Sequence, residues 1–134
     1  MPLLYWKDEY SVNGERLDDR NKRLFFILNS VYDNVISSWN LKYTLPLIDE
    51  LLVYSKNYFS AEEQHMRVNR MTDLDDQIAK HTVFIHTIET LKANYINKDL
   101  KVAKVQITFL IEWFLHQVLK VEAIANGKCF YTVK

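Results

Sequence analysis

The chain has 134 residues, long enough for one domain with a buried core, and 49% hydrophobic with 13% aromatic content excludes a disordered chain. Two Gly and two Pro argue against a turn-rich β sandwich or barrel. Seventeen basic and seventeen acidic residues cancel, so no global field favours nucleic acid or an anionic membrane.

Residues 1–16 are aromatic without periodicity: Tyr5, Trp6 and Tyr10 precede an Asn13-Gly14 turn signal. They read as an ordered arm over the domain or a surface that docks a partner, because exposed aromatics would form a costly apolar patch. The first predicted helix runs from Leu17 to about Trp39, with Leu17, Asn21, Leu24, Leu28, Val31 and Val35 spaced by four and three as an inward seam. After a break near Asn40, Thr44 is positioned to cap a second helix with Pro46 in its first turn. Its expected inner stripe is Leu47, Leu51, Tyr54, Tyr58, Glu62 and Met66, fading after Arg70. Thr72 or Asp73 caps the third helix, and Asp75 and Asp76 suit its positive N-terminal end. Its seam reads Leu74, Gln77, His81, Phe84, Ile88, Leu91 and Tyr95. A short Asn97-Lys98-Asp99 connection leads to a fourth helix from Leu100 to Asn126, stopped by Gly127, with Leu110, Trp113, Gln117, Val121 and Ile124 inward and Glu122 at the edge.

Four such helices with short loops describe an all-α, up-down-up-down four-helix bundle. The expected layout is a single domain, 1–134, with arm 1–16, bundle 17–126 and C-terminal tail 127–134. Each inward stripe carries polar members. Asn21, Tyr58, Glu62, Gln77, His81 and Gln117 fall at one level, because the late parts of helices two and four lie beside the early parts of helices one and three. Glu62 in such a place needs a proton or a protonated His81 beside it.

The order of motifs resembles the hemerythrin family. Trp6-Lys7-Asp8-Glu9-Tyr10-Ser11-Val12, followed by Leu17-Asp18-Asp19-Arg20-Asn21-Lys22-Arg23-Leu24-Phe25, is similar to the start of a bacterial hemerythrin. Tyr58-Phe59-Ser60-Ala61-Glu62-Glu63-Gln64-His65-Met66, Gln77 to Phe84, and Phe109 to Gln117 with Glu122 resemble three further motifs of that family. The resemblance spans nearly the whole chain. It implies a hemerythrin-like bundle, and a pocket where the family holds two irons with five histidines and two bridging carboxylates to bind O2. The histidine positions fall here on Asn21, Tyr58, Gln77, His81 and Gln117, of which His81 alone is histidine; Glu62 stands at one carboxylate position and Glu122 where Asp is usual.

Neutral amides are weak iron donors, and a tyrosine must lose a proton near pKa 10 before it binds as phenolate. Two expectations follow. In the first, the pocket is a hydrogen-bond network with no cofactor, and the protein is a non-enzymatic interaction, structural or sensory module with a protein partner on its outer faces or on the Trp6/Tyr10 arm. In the second, metal (one or two irons) is held by Glu62, His81, Glu122 and Tyr58, for O2 or iron binding or redox sensing.

The remaining candidates read more simply. His65 belongs to a single Glu-x-x-His, whereas ferritin-like sites use two copies; His65, His86 and His116 are expected at the surface. Asp18-Asp19 and Asp73 with Asp75-Asp76 are explained by helix-start electrostatics. Cys129 has no disulfide partner and no zinc-type spacing accompanies it. With no signal peptide and no apolar run of spanning length, the expected compartment is the cytoplasm, without membrane or nucleic-acid contact.

Overall fold

The computed structural model describes residues 15–118, with side-chain surroundings from 19 to 117. Four helices follow one another: α1 Glu15–Ser37, α2 Leu41–Val68, α3 Leu74–Ile96 and α4 Leu100–Trp113, the last running on into a π turn at Phe114–Val118. α1 packs against α2 and α4, and α3 packs against the same two, which closes an antiparallel four-helix bundle. The fold class expected from the periodicity is the one observed. Of the expected arm 1–16, residues 1–14 lie outside the described residues, and Glu15 and Arg16 already belong to α1; the end of the fourth helix with Glu122 and Gly127, and the tail, also lie outside them.

The core is aliphatic at one end and aromatic at the other. Leu28, Val31, Val35, Ile48, Leu51, Ile88, Leu91, Ala103 and Ile107 are buried along the axis. Towards the late part of α2 the filling changes to Phe25, Tyr58, Phe59, Phe84 and Phe114. Among the described residues no helix is long and apolar enough to cross a membrane.

Local chemistry corrects several boundaries. α2 starts three residues before Thr44, because the Asn40 side chain accepts the Tyr43 N–H and caps it. Thr44 is fully buried instead, with its hydroxyl on the phenol of Tyr95. Pro46 therefore lies inside the helix rather than in its first turn. Asp73 stands at the start of α3 but makes no side-chain cap bond. The α2 stripe is also rotated from the expected one: Ile48, Leu51, Ser55, Tyr58, Phe59 and Met66 are buried, Leu47 and Tyr54 are half-buried, and Glu62 is exposed.

Both remaining turns end a helix without glycine. After α2, the Arg70 and Met71 N–H groups donate back to the Arg67 and Met66 carbonyls, with Arg70 at φ 53°. After α3, the Lys98 and Asp99 N–H groups donate to Tyr95 and Asn94 in the same pattern, with Lys98 at φ 62°. These are Schellman closures in which a side chain tolerates the left-handed conformation that glycine adopts freely.

Candidate functional site

The pocket assembles at the end where α2 finishes and α3 begins. His81 is 3% exposed, one turn before Phe84 in the apolar seam of α3. Its ring lies flat on Phe59, centroids 4.0 Å apart and planes 8° from parallel, and meets the Trp113 ring edge-on at 6.3 Å. Phe59 also touches Phe84 and Trp113, so helices α2, α3 and α4 share one aromatic cage around the imidazole.

Two carboxylates hold the ring at its edge. Nε2 lies 2.9 Å from Glu62 and Nδ1 lies 2.7 Å from Glu63. A neutral imidazole has one N–H, so acceptors on both nitrogens favour the doubly protonated cation. Burial alone would lower the pKa of His81, but the bonds to Glu62 and Glu63 outweigh it and the net shift is upward. Glu62 and Glu63 remain partly open to water, with side chains 43% and 23% exposed.

A second polar pair joins α1 to α2. The Tyr58 hydroxyl donates to Oδ1 of Asn21, and both residues are buried. Burial raises the Tyr58 pKa well above the ordinary phenol value, and the charge of Glu62 pushes it further against the opposing pull of Arg20. The phenol therefore keeps its proton. Tyr54, half-buried one turn earlier, donates to the Arg20 carbonyl at 3.0 Å.

Of the positions singled out in the sequence, the structure joins Asn21 to Tyr58 and Glu62 to His81. Gln77 and Gln117 are half-buried on α3 and in the π turn, and neither makes a side-chain hydrogen bond among the described residues. Glu122 lies outside those residues. Glu62 is at the pocket's solvent edge and not on the inward stripe, because Phe59 takes the core position next to Tyr58. Among the described residues no group of three or more His, Cys, Asp or Glu converges as a metal site.

Sequence reasoning passed over Glu63. It stands beside Glu62, and two adjacent carboxylates straddling one helix edge reach opposite sides of a ring on the neighbouring helix. The signal was the Glu-Glu pair one turn after Tyr58. The π turn was also not foreseen. It widens α4 where Phe114 enters the core and shifts the register beyond it, so His116, expected at the surface, is half-buried. His65 and His86 are exposed, as expected.

No family model matches the chain. It is similar over most of its length to the bacteriohemerythrin of Clostridium acetobutylicum, 25% identical over 122 residues that cover 88% of this chain and 95% of that protein. It is also similar to the myohemerythrin of Theromyzon tessulatum, 26% identical over 123 residues, 92% of this chain and 91% of that one. Together with the four-helix bundle, these likenesses support a hemerythrin-like relationship.

Proposed function

We propose that this chain is a hemerythrin-like bundle that works without iron, as a non-enzymatic interaction, structural or sensory module. The observation that carries the reading is the engagement of His81: with a carboxylate on each nitrogen, its imidazole presents no lone pair to a metal. The other donors are similarly committed. Oδ1 of Asn21 accepts the Tyr58 proton, and the raised pKa of that phenol opposes the phenolate that iron would require. The residues at these positions therefore do not fit a pair of irons, and no step of O2 chemistry is derived from them.

In this reading the pocket is a polar clasp. The phenol–amide pair ties α1 to α2, and the carboxylate–imidazole clamp ties α2 to α3, where relatives that bind iron would use metal bonds. A neutral hydrogen bond contributes about 1 kcal/mol net, and the carboxylate contacts contribute a similar amount because both carboxylates are partly open to water.

Metal analysis of protein produced in iron-supplemented medium, with an absorption spectrum in air, tests the proposal. The expected result is less than about a tenth of an iron per chain and no band above the aromatic region. Near-stoichiometric iron that disappears in a Glu62→Ala, His81→Ala double variant would replace it with the alternative, a divergent metal centre.

A further inference from the structure

Beside the clasp lies a recessed cleft of about 210 Å³ between α1 and α2, lined by Arg20, Tyr58, Ala61, Glu62 and His65. A water occupies roughly 30 Å³ of liquid, so the cleft has room for a small organic molecule. Its wall carries both signs of charge, and each is incompletely satisfied by the protein.

Arg20 is half-buried, with its guanidinium over the Tyr58 ring at 5.0 Å. One N–H reaches the Tyr58 carbonyl at 3.5 Å, a long contact, the fork also meets the Tyr54 hydroxyl, and no carboxylate pairs with it among the described residues. The contrast on the same helix is Arg23, whose guanidinium is 2.6 Å from Glu50. A planar, partly desolvated fork with spare donors suits a carboxylate or similar oxyanion. Across the cleft, Glu62 lines the wall and engages His81 through one oxygen, 2.9 Å from Nε2, and a carboxylate has a second oxygen to offer a cation. A simple anion on Arg20 would meet repulsion from Glu62. A molecule with an ammonium group next to its carboxylate would satisfy both walls.

We infer that this cleft binds a small zwitterion, a free α-amino acid or a close analogue, with its carboxylate on Arg20 and its ammonium on Glu62. Tyr58 forms the aromatic wall between them, and Ala61, whose side chain is a single methyl, leaves the entrance clear. The inference rests on the iron-free reading, because Tyr58 and Glu62 must be free of metal. It adds a ligand class to the sensory form of that reading: an occupied cleft would bridge α1 and α2 directly over the clasp.

The test is titration calorimetry on the full chain, with metal content measured on the same samples. The ligands are the common amino acids, with acetate and methylamine as half-ligands. At least one amino acid should bind saturably, and each half-ligand should bind at least about tenfold more weakly. Arg20→Lys, which keeps charge but not the fork, and Glu62→Gln should each weaken binding about tenfold or more, while Arg23→Gln leaves it unchanged. Helical circular dichroism checks that each variant folds; if Arg20→Lys does not, Glu62→Gln decides. No heat from any amino acid up to about 10 mM, acetate binding as tightly as the amino acid, or unchanged binding in the folded variants would overturn the inference. Iron in the purified protein would instead overturn the iron-free reading on which it rests.

Discussion

The two ends of the bundle each contain a buried tyrosine, and they use it differently. At the far end, Tyr95 is fully buried, and its hydroxyl accepts the Asn40 N–H at 2.7 Å while contacting the Ser38 carbonyl at 3.1 Å and the Thr44 hydroxyl at 3.0 Å. The Trp39 indole donates to the Tyr95 carbonyl at 2.7 Å. All these partners are neutral, and all lie on the α1–α2 junction. The knot needs no charge and leaves nothing for a ligand. At the pocket end, Tyr58 bonds to Asn21, but it shares a cleft with the charged Arg20 and Glu62, and Glu62 in turn meets His81. One tyrosine closes a loop. The other belongs to an arrangement whose strength depends on the protonation of His81.

Breaking the neutral knot should have the largest effect. Tyr95→Phe leaves the Asn40 N–H and the Thr44 hydroxyl without their partner, and should cost about 2 kcal/mol in urea denaturation, independent of pH near neutrality. His81→Gln should cost about 1–2 kcal/mol at pH 6, through loss of the stacked ring and both carboxylate bonds. That cost should vary with pH. Because the folded pKa of His81 is raised, its contribution is complete below the unfolded value of about 6.5 and is lost as pH rises through the folded value. The gap between wild type and His81→Gln should therefore shrink as pH rises above about 6.5. A gap that grew with pH would show that the imidazole is held neutral.

Tyr58→Phe removes a single hydrogen bond and should cost about 1 kcal/mol, with an Asn21→Leu, Tyr58→Phe double variant recovering part of it, because no buried amide is then left alone. The smallest effects separate the two glycine-free turns. Arg70→Gly, at the pocket end, should stabilise by about 0.5–1 kcal/mol by relieving a left-handed residue. Lys98→Gly, at the Tyr95 end, should gain less, because the Lys98 ammonium also sits 4.8 Å from the Trp39 ring and that contact is lost. Equal gains would mean that the stacking contributes nothing.

What could be read in advance follows the range of each interaction. The α3 seam from His81 to Tyr95 is local periodicity, and it is buried as expected. Tyr95 could be placed inward, but not its hydroxyl's partners, which lie more than fifty residues away and include the very Thr44 that looked like a cap. The choice between Asn40 and Thr44 as cap was decided by a tertiary bond that outweighs a local preference. In the pocket, the pairing of Glu62 with His81 was legible from the need to compensate a carboxylate. Glu63 was not, because which of two adjacent glutamates reaches a neighbouring helix depends on a rotation of α2 set by Phe59. The π turn left no local signature either; it begins where Phe114 packs on Phe25 and Trp113 on Phe84.

The most direct test of the central claim, that hydrogen bonds occupy the place of iron, is to add ferrous iron to the purified chain without oxygen and follow the unfolding midpoint before and after air is admitted. Anything that binds the folded state selectively raises that midpoint, so occupancy would be seen even without colour. The account predicts a midpoint that ignores both iron and chelator, with no new absorption band in air. A saturable, near-stoichiometric rise in the midpoint that vanishes in His81→Gln would contradict it and make the clamp a metal site awaiting its ion.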